Sequence, residues 1–229
     1  DTYFNDGQQN FNLSESILLP IHIIRQYHKT RLIDINNDGR IDITTSDNLA
    51  MDLEWLLNKS GSFEYQSGAT QLLGLCVMRA TEMPLATFAS EKLWKPLGAK
   101  HSAEWHLDNE DGKELAFCCF NSNARDFARF GQMMLQKGNY NGNQILDSAF
   151  VEMATVPFDV PFYGHSFWID DSYGTHIFYQ RGILGQYIIV IPEHDLVVVR
   201  LGHIRLGSDK NHSIDFRVIV EEILAAVES

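Results

Sequence analysis

Tyr65 and Ser67 place two side-chain hydroxyls two residues apart, directly ahead of a segment with the apolar spacing of a helix. Hydroxyls in such a position can face one cleft, where a tyrosine relays the proton of a serine nucleophile to a leaving group. That chemistry also requires the nucleophile itself and a lysine of depressed pKa that accepts its proton. Taken alone, the tripeptide also fits a half-buried tyrosine followed by a serine that caps the helix.

The composition is that of a globular protein, because 229 residues with 45% hydrophobic side chains can bury one large core or two interleaved halves. With 18 Lys plus Arg against 30 Asp plus Glu, the net charge of -12 repels phosphate backbones, so nucleic acid is not expected as a partner. The longest apolar runs have the length of strands, far below the roughly 20 residues that cross a bilayer. No membrane span is therefore predicted.

Apolar residues recur at helical spacing in the first part of the chain, which predicts a layer of helices. One helix follows Ser67 and ends before Pro84, a second covers 85–93, and a third covers 124–137 with Gly138 at its end. The mostly apolar segment 13–26 is also compatible with a helix, although Pro20 would remove a hydrogen bond beyond the first turn.

From residue 163 onward the pattern changes to short apolar runs separated by turns. Strands are predicted at 164–169, 175–181, 187–191 and 196–202, and the short turns between them favour an antiparallel sheet. The last segment, 213–227, has its apolar residues on one helical face and is expected to pack on that sheet. Helices, then an antiparallel meander, then a terminal helix indicate the α+β class.

Four blocks of sequence form a set, at 63–74, 91–98, 123–131 and 182–199. In order and spacing they resemble the serine beta-lactamase-related, penicillin-binding-protein-like family, which includes class C beta-lactamases, DD-peptidases, esterases and 6-aminohexanoate oligomer hydrolases. The resemblance covers residues 47–204. It implies a helical layer beside an antiparallel sheet with a flanking terminal helix, and an active site in the groove between them. In this frame 1–46 is a divergent segment and 47–229 the family domain, helical to about residue 160 and sheet plus terminal helix from 161.

On the sheet side, the resemblance implies that the backbone N–H of Ile183, just after Gly182, contributes to an oxyanion hole. The tripeptide 180–182, Gln-Arg-Gly, occupies the place of the family's KTG-like triad, so the first cation of that triad is missing. The adjacent Arg181 either faces a substrate carboxylate or forms a local salt bridge on the strand surface.

On the helical side, Tyr65 and Ser67 match the family's YxN-like element, but no serine in the sequence is followed three residues later by lysine, so an SxxK pair is absent. In the family frame Ser14 takes the nucleophile's place and Ile17, which cannot accept a proton, takes that of the lysine. Pro20 interrupts the helix that this frame requires. The family also has two strands before its nucleophile. The N-terminal part is therefore expected to be shortened, and the sheet to lose an edge or to borrow one from another chain.

A separate pattern at 34–42 matches the first nine positions of a calcium-binding loop. Its candidate ligands are Asp34, Asn36, Asp38 and Arg40, the last through its backbone carbonyl. Thr45 replaces the carboxylate that normally completes the shell, so weak calcium binding and a polar loop without metal both remain open. No other cofactor is expected, because the nine histidines show no zinc-type spacing.

The three cysteines, Cys76, Cys118 and Cys119, are interpreted as small buried side chains. A bond between adjacent Cys118 and Cys119 would close a strained ring, and three cysteines cannot all be paired. The sequence therefore predicts free thiols.

Two functional hypotheses follow. The first is a pseudoenzyme, a beta-lactamase-related scaffold that binds a small amide or ester ligand, or a protein partner that completes the sheet. The second is an active serine hydrolase, an esterase, amidase or peptidase, whose nucleophile is Ser14 or lies on a segment absent from this chain. The sequence favours the first, because a hydroxyl with no nearby base reacts poorly.

Overall fold

The computed structural model describes residues 63, 65, 67–204, 206–209 and 212–227, together with the backbone of four short strands nearer the N-terminus. The chain divides into two compact units, Asp1–Leu73 with His106–Phe117, and Gly74–Trp105 with Cys118–Ser229. The predicted domain boundary at 46–47 lies outside the described residues.

The first unit contains two antiparallel strand pairs. Leu13 and Ser14 lie in a strand, where Ser14 is opposite Thr2, so the helix expected over 13–26 is wrong at its start. The alternation of apolar and polar residues in Phe11–Ser14 is the period of a strand, which explains the difference. The rest of 13–26 lies outside the described residues. The strands are β1 (Thr2–Asn5) with β2 (Phe11–Ser14), and β3 (Thr30–Ile33) with β4 (Asp42–Thr45).

Helix α1 (Ser67–Thr81) begins where the sequence predicts it. Within the first unit its fully buried Gln71 fixes the loop 106–117 through two hydrogen bonds. The Gln71 side-chain amide donates to the carbonyl of Glu114 at 2.9 Å, and its oxygen accepts from the N–H of Ala116 at 2.7 Å. Both polar ends of this buried side chain are therefore satisfied.

The second unit contains the helical layer that the sequence predicts. The helix predicted at 85–93 is a short α-helix followed directly by a π-helical turn, Ser90–Trp94. A seven-residue helix, Ser148–Ala154, is not predicted by the sequence. Its start is fixed by Asp147, whose side chain accepts hydrogen bonds from the N–H groups of Ala149 and Phe150. The helices are α2 (Leu85–Ala89), α3 (Ala124–Leu135) and α4 (Ser148–Ala154).

The predicted antiparallel meander is present as a four-stranded sheet, in which strands that follow one another in the sequence are neighbours. Its strands are β9 (Trp168–Asp170), β10 (Ile177–Arg181), β11 (Tyr187–Ile191) and β12 (Leu196–Arg200), and helix α5 (Ile214–Val227) follows. Three small hairpins complete the described part, β5 (Glu104–Trp105) with β6 (Phe120–Asn121), β7 (Asn139–Tyr140) with β8 (Asn143–Gln144), and β13 (Ser208–Asp209) with β14 (His212–Ser213). The predicted α+β class is confirmed.

The two faces of the sheet pack against different helices. Phe178 and its cross-strand neighbours Ile169 and Val190 belong to the core shared with α3 and α4. The next residue along the strand, Tyr179, points to the opposite face, where its ring stacks on Phe216 of α5 with centroids 4.0 Å apart. This alternation decides which side chains of β10 lie on which face of the sheet.

The first turn of α3 carries the buried carboxylate of Asp126, which accepts five hydrogen bonds, while the N-cap of the helix is Asn123. Its oxygens accept from the N–H groups of Lys100 and His101 at 2.9 and 3.0 Å, and from the side chain of Asn123 at 2.6 Å. The side chains of His101 and Arg129 complete the set. The carboxylate therefore joins the loop after α2 to the first turn of α3.

The expectation of three buried thiols is wrong. Cys118 and Cys119 form a disulfide, and all three cysteines are partly exposed. The backbone accommodates the ring because Cys119 adopts a left-handed conformation, with a φ of 66°. The Trp105 indole N–H donates to the Cys118 carbonyl at 3.0 Å, which holds this turn beside the β5–β6 hairpin.

Thiol titration under denaturing conditions is expected to find one reactive cysteine, Cys76, before reduction and three after reduction. Alkylation with iodoacetamide followed by mass spectrometry checks this, because each thiol adds one carbamidomethyl group. Cys76→Ser is the matched control and should leave no thiol before reduction. Two or three alkylated cysteines in the unreduced protein, prepared without reductant, would contradict the bond.

No single helix in the described part of the chain is long and apolar enough to cross a bilayer. The segments Ser67–Thr81 and Leu85–Trp94 meet the length and composition criteria only as a pair, and the pair is bent by 78°.

Candidate functional site

The turn between β10 and β11 presents the backbone N–H that the sequence assigns to an oxyanion hole. The Gly182 N–H donates to the Gln186 carbonyl at 2.8 Å, and the Gly185 N–H donates to the Gly182 carbonyl at 3.2 Å. Gly185 has a φ of 80°, which a glycine adopts without steric cost. Ile183, at the tip, is 78% exposed, and its N–H donates to no group in the described residues. The N–H of Ile183, like that of Leu184, therefore has no acceptor among the described residues and could donate to an incoming carbonyl.

Arg181 lies on the α5 side of the sheet rather than at the tip of the turn. Its guanidinium is 3.5 Å from the centroid of the Trp168 ring, a cation–π distance. Burial raises the pKa of Tyr179, and the positive charge of Arg181 opposes that rise. A contact with a substrate carboxylate stays a prediction for this residue.

Gln180 points to the opposite face, as the alternation of a strand requires. Its amide donates to the Ser166 carbonyl at 3.2 Å. This residue occupies the triad place where the family has a cation, so the strand offers a neutral hydrogen-bonding side chain there.

Tyr65 and Ser67 are both exposed at the start of α1. Ser67 is the first residue of the helix, as a YxN-like element ahead of a helix predicts. Both residues belong to the first compact unit, whereas Ile183 belongs to the second. Their joint participation in one site therefore stays a prediction.

Ser14, the candidate nucleophile, is described through its backbone only, as the last residue of β2. The family frame instead requires its serine at the start of a helix, and Ile17 lies outside the described residues. The candidate calcium ligands Asp34, Asn36, Asp38 and Arg40 also lie outside the described residues. The described part contains no group of three or more His, Cys, Asp or Glu side chains that could hold a metal ion.

Sequence reasoning missed a polar network between the sheet and the start of α5. The Tyr179 hydroxyl lies 2.7 Å from Nδ1 of His212, whose Nε2 is 3.6 Å from a carboxylate oxygen of Asp170. Burial raises the pKa of Tyr179 and lowers the pKa of His212, so both are neutral near pH 7 and the hydroxyl donates to the imidazole. Because Tyr179 is fully buried, this network joins β14 to the sheet rather than contacting a ligand.

A second missed network surrounds Arg200 at the end of β12. Its guanidinium donates to the Gly185 carbonyl at 2.5 Å and to the Asp215 carboxylate at 3.2 Å. Residues 15 positions apart in sequence form each of these contacts, so no local spacing could reveal them. The one available signal is an arginine at the end of an otherwise apolar strand.

The comparisons with known proteins agree with the architecture. A model of the beta-lactamase family matches residues 54–219. A curated relative, the 6-aminohexanoate-dimer hydrolase of Paenarthrobacter ureafaciens, is 28% identical, and the match covers 62% of this chain and 39% of that protein.

Two solved structures share the fold. A Bacillus anthracis protein provisionally named a 6-aminohexanoate-dimer hydrolase superposes with a TM-score of 0.63 at 24% identity, over 81% of this chain and 46% of its own. A beta-lactamase from Mycobacterium bovis gives a TM-score of 0.57 at 20% identity, over 75% and 67% of the two chains. The chain therefore spans less than half the length of the two 6-aminohexanoate-dimer hydrolase relatives. Since the family match extends over more than half of the sequence and the described helices and sheet follow the same fold, this chain belongs to the beta-lactamase family and carries its hydrolase scaffold.

Proposed function

We propose that this chain binds a small molecule with an amide or ester carbonyl on its hydrolase scaffold, and that by itself it does not turn that molecule over. The observation that carries the proposal is the uncommitted N–H of Ile183 at an exposed turn. Backbone N–H groups in fixed turns are the usual donors to a carbonyl oxygen in this kind of site.

The absence of turnover follows from the side chains available to activate a hydroxyl. The sequence has no serine followed three residues later by lysine, and Ile17 stands where the proton acceptor of Ser14 would be. A hydroxyl without a base nearby is a weak nucleophile. The chain thus retains a means of orienting a carbonyl but has lost the pair that would attack it, which is the pattern of a pseudoenzyme.

The alternative function is that of an active serine hydrolase, with Ser14 or a serine outside this sequence as the nucleophile. The observation that favours it is the likeness to one 6-aminohexanoate-dimer hydrolase and to a second protein provisionally given that name, of which this chain spans 39% and 46%. A binding role toward a protein is compatible with the same scaffold, because β9 and β12 are the outer strands of the described sheet and could pair with a strand from a partner.

Titration with benzylpenicillin and with the linear dimer of 6-aminohexanoate tests the proposal. The amide signal of Ile183 in a nitrogen–proton correlation spectrum should move on binding, since its N–H gains an acceptor. Ile183→Pro removes the donor and should weaken binding by about fivefold, the equivalent of about 1 kcal/mol for one hydrogen bond.

Ile183→Ala is the matched control, because it removes the same apolar side chain but keeps the N–H. It should retain the affinity of the unchanged protein if the backbone donor is what matters. Equal losses in both variants, or ligand-induced shifts that leave the Ile183 amide unmoved, would count against the proposed carbonyl contact.

A further inference from the structure

The guanidinium of Arg200 lies beside the turn that carries Ile183. One of its nitrogens, Nη1, donates to the Gly185 carbonyl at 2.5 Å and to Oδ2 of Asp215 at 3.2 Å. The other, Nη2, is 3.5 Å from the Ile204 carbonyl. A single side chain therefore links the β10–β11 turn to the first turn of α5 and to the segment after β12.

Two glycines create the space that this guanidinium occupies. A Cβ atom on Gly185 would lie 2.1 Å from Nη1 of Arg200, and one on Gly202 would lie 2.6 Å from the same atom. A Cβ atom does not approach a nitrogen this closely unless the two are covalently linked. The contact between Arg200 and the turn therefore requires glycine at both positions. An ordinary ion pair on the protein surface has no such requirement.

Asp215 accepts a hydrogen bond from the guanidinium of Arg200 and another from a tyrosine of the sheet. Its Oδ2 atom also accepts a hydrogen bond from the Tyr187 hydroxyl at 3.0 Å, and that hydroxyl is 2.5 Å from the Ser213 hydroxyl. The Asp215 side chain is only 8% exposed, so its charge is poorly screened by water. A hydrogen bond between ionised partners in such a setting is stronger than one between neutral groups.

The turn itself has few other constraints. Within the described residues its backbone is closed by the Gly182 and Gly185 N–H bonds, and the Gln186 side chain donates to the Gly202 carbonyl at 2.9 Å. Ile183 and Leu184, at the tip, are 78% and 47% exposed and add little packing. The charge-assisted contact from Arg200 is thus a principal restraint on the peptide group between Gly185 and Gln186, at the end of the turn.

We propose that Arg200 is a positioning residue, which holds the β10–β11 turn so that the Ile183 N–H points in a fixed direction. Arg200 acts through the Gly185 carbonyl and need not touch a ligand. The part of this inference that concerns ligand binding rests on the proposed function, whereas the part that concerns the turn does not.

Amide hydrogen exchange in the full chain tests the inference directly. In Arg200→Ala the Gly182 and Gly185 amides, both hydrogen-bonded within the turn, should exchange roughly tenfold faster, because the loss of a charge-assisted hydrogen bond makes local opening easier. Methylguanidinium at tens of millimolar should restore slow exchange, since the deleted side chain leaves a site of its shape between Gly185 and Gly202. Methylammonium is the control solute, and Arg125→Ala, an exposed arginine on α3, is the control variant.

The benzylpenicillin titration separates this inference from the proposed function. If the two amides exchange faster in Arg200→Ala, the affinity for benzylpenicillin falls in parallel and methylguanidinium restores the affinity, both the inference and the proposed function are supported. Faster, restorable exchange with unchanged affinity supports the positioning role and contradicts the proposed carbonyl contact. Unchanged exchange at Gly182 and Gly185 would overturn the inference, and so would faster exchange spread evenly over β11 and α5 that methylguanidinium does not reverse.

Discussion

Incubation with a fluorophosphonate or with benzylpenicillin is expected to leave the intact mass of this chain unchanged. Acylation needs a hydroxyl that loses its proton near neutral pH, and Ile17 cannot accept the proton of Ser14. General-base assistance typically contributes ~10²–10⁴-fold, so the rate with p-nitrophenyl esters, beta-lactams or short amide oligomers should fall at least that far below that of an active family member. Intact-mass spectrometry and initial-rate assays measure both quantities.

The control is an active beta-lactamase treated in parallel, which should be labelled completely under the same conditions. Ser14→Ala identifies the site if any label appears. An adduct that disappears in Ser14→Ala would overturn the pseudoenzyme proposal and establish Ser14 as a nucleophile. An adduct on another serine would show that the family frame places the N-terminal segment wrongly.

The helical layer and the sheet could be predicted because their signals are local. In α1 and α3 apolar residues repeat at helical spacing, and the four strands are short apolar runs between turns. Helix α4 could not be predicted in this way, since seven residues give fewer than two repeats. The helix predicted from residue 13 is wrong at its start because that prediction rests on the apolar content of 13–26, whereas Phe11–Ser14 alternates apolar and polar residues as a strand does.

In the candidate site, too, the sequence indicates local features but not the contacts between distant residues. The family motif places a candidate donor, the N–H after Gly182, in the turn between β10 and β11, and its part in a site stays a prediction. The contacts of Arg200 with Gly185 and Asp215 were not found, because their partners meet only after the strands and α5 have packed. The Cys118–Cys119 bond was missed because the left-handed backbone that permits it is not encoded in cysteine spacing.

Asp126→Asn is expected to be the most destabilising single-atom change in the second unit. The buried carboxylate accepts hydrogen bonds from two backbone N–H groups, of Lys100 and His101, and from the side chains of Asn123, His101 and Arg129. An amide in its place presents a donor to groups that are themselves donors and leaves the Arg129 charge without its partner. The free energy of unfolding at pH 7 should fall by about 3 kcal/mol, measured by urea denaturation.

Asp147→Asn is the matched control for this substitution. Asp147 is exposed and, like Asp126, accepts from two backbone N–H groups, which here belong to Ala149 and Phe150 at the start of α4. Asparagine caps a helix nearly as well as aspartate, so the control should change the free energy of unfolding by only a few tenths of a kcal/mol. Comparable losses in both variants would show that hydrogen bonds to backbone N–H groups, rather than the buried charge, account for the effect of Asp126→Asn.

The pH dependence of the difference in the free energy of unfolding between the unchanged protein and Asp126→Asn separates a charge effect from a packing effect. Burial alone would raise the pKa of Asp126, but the hydrogen bonds from Lys100, Asn123 and His101 outweigh it and hold the pKa far below its ordinary value of 3.8. Well above pH 3.8 the carboxylate is ionised in both the folded and the unfolded chain, and its contribution is complete. As the pH falls below that value the unfolded chain gains a proton that the folded chain resists, so the stabilisation is progressively lost.

The difference in the free energy of unfolding between the unchanged protein and Asp126→Asn should therefore be constant from pH 7 to about pH 5 and shrink below pH 4. A difference that stays constant down to pH 3 would assign the effect to packing and contradict the role of the ionised carboxylate.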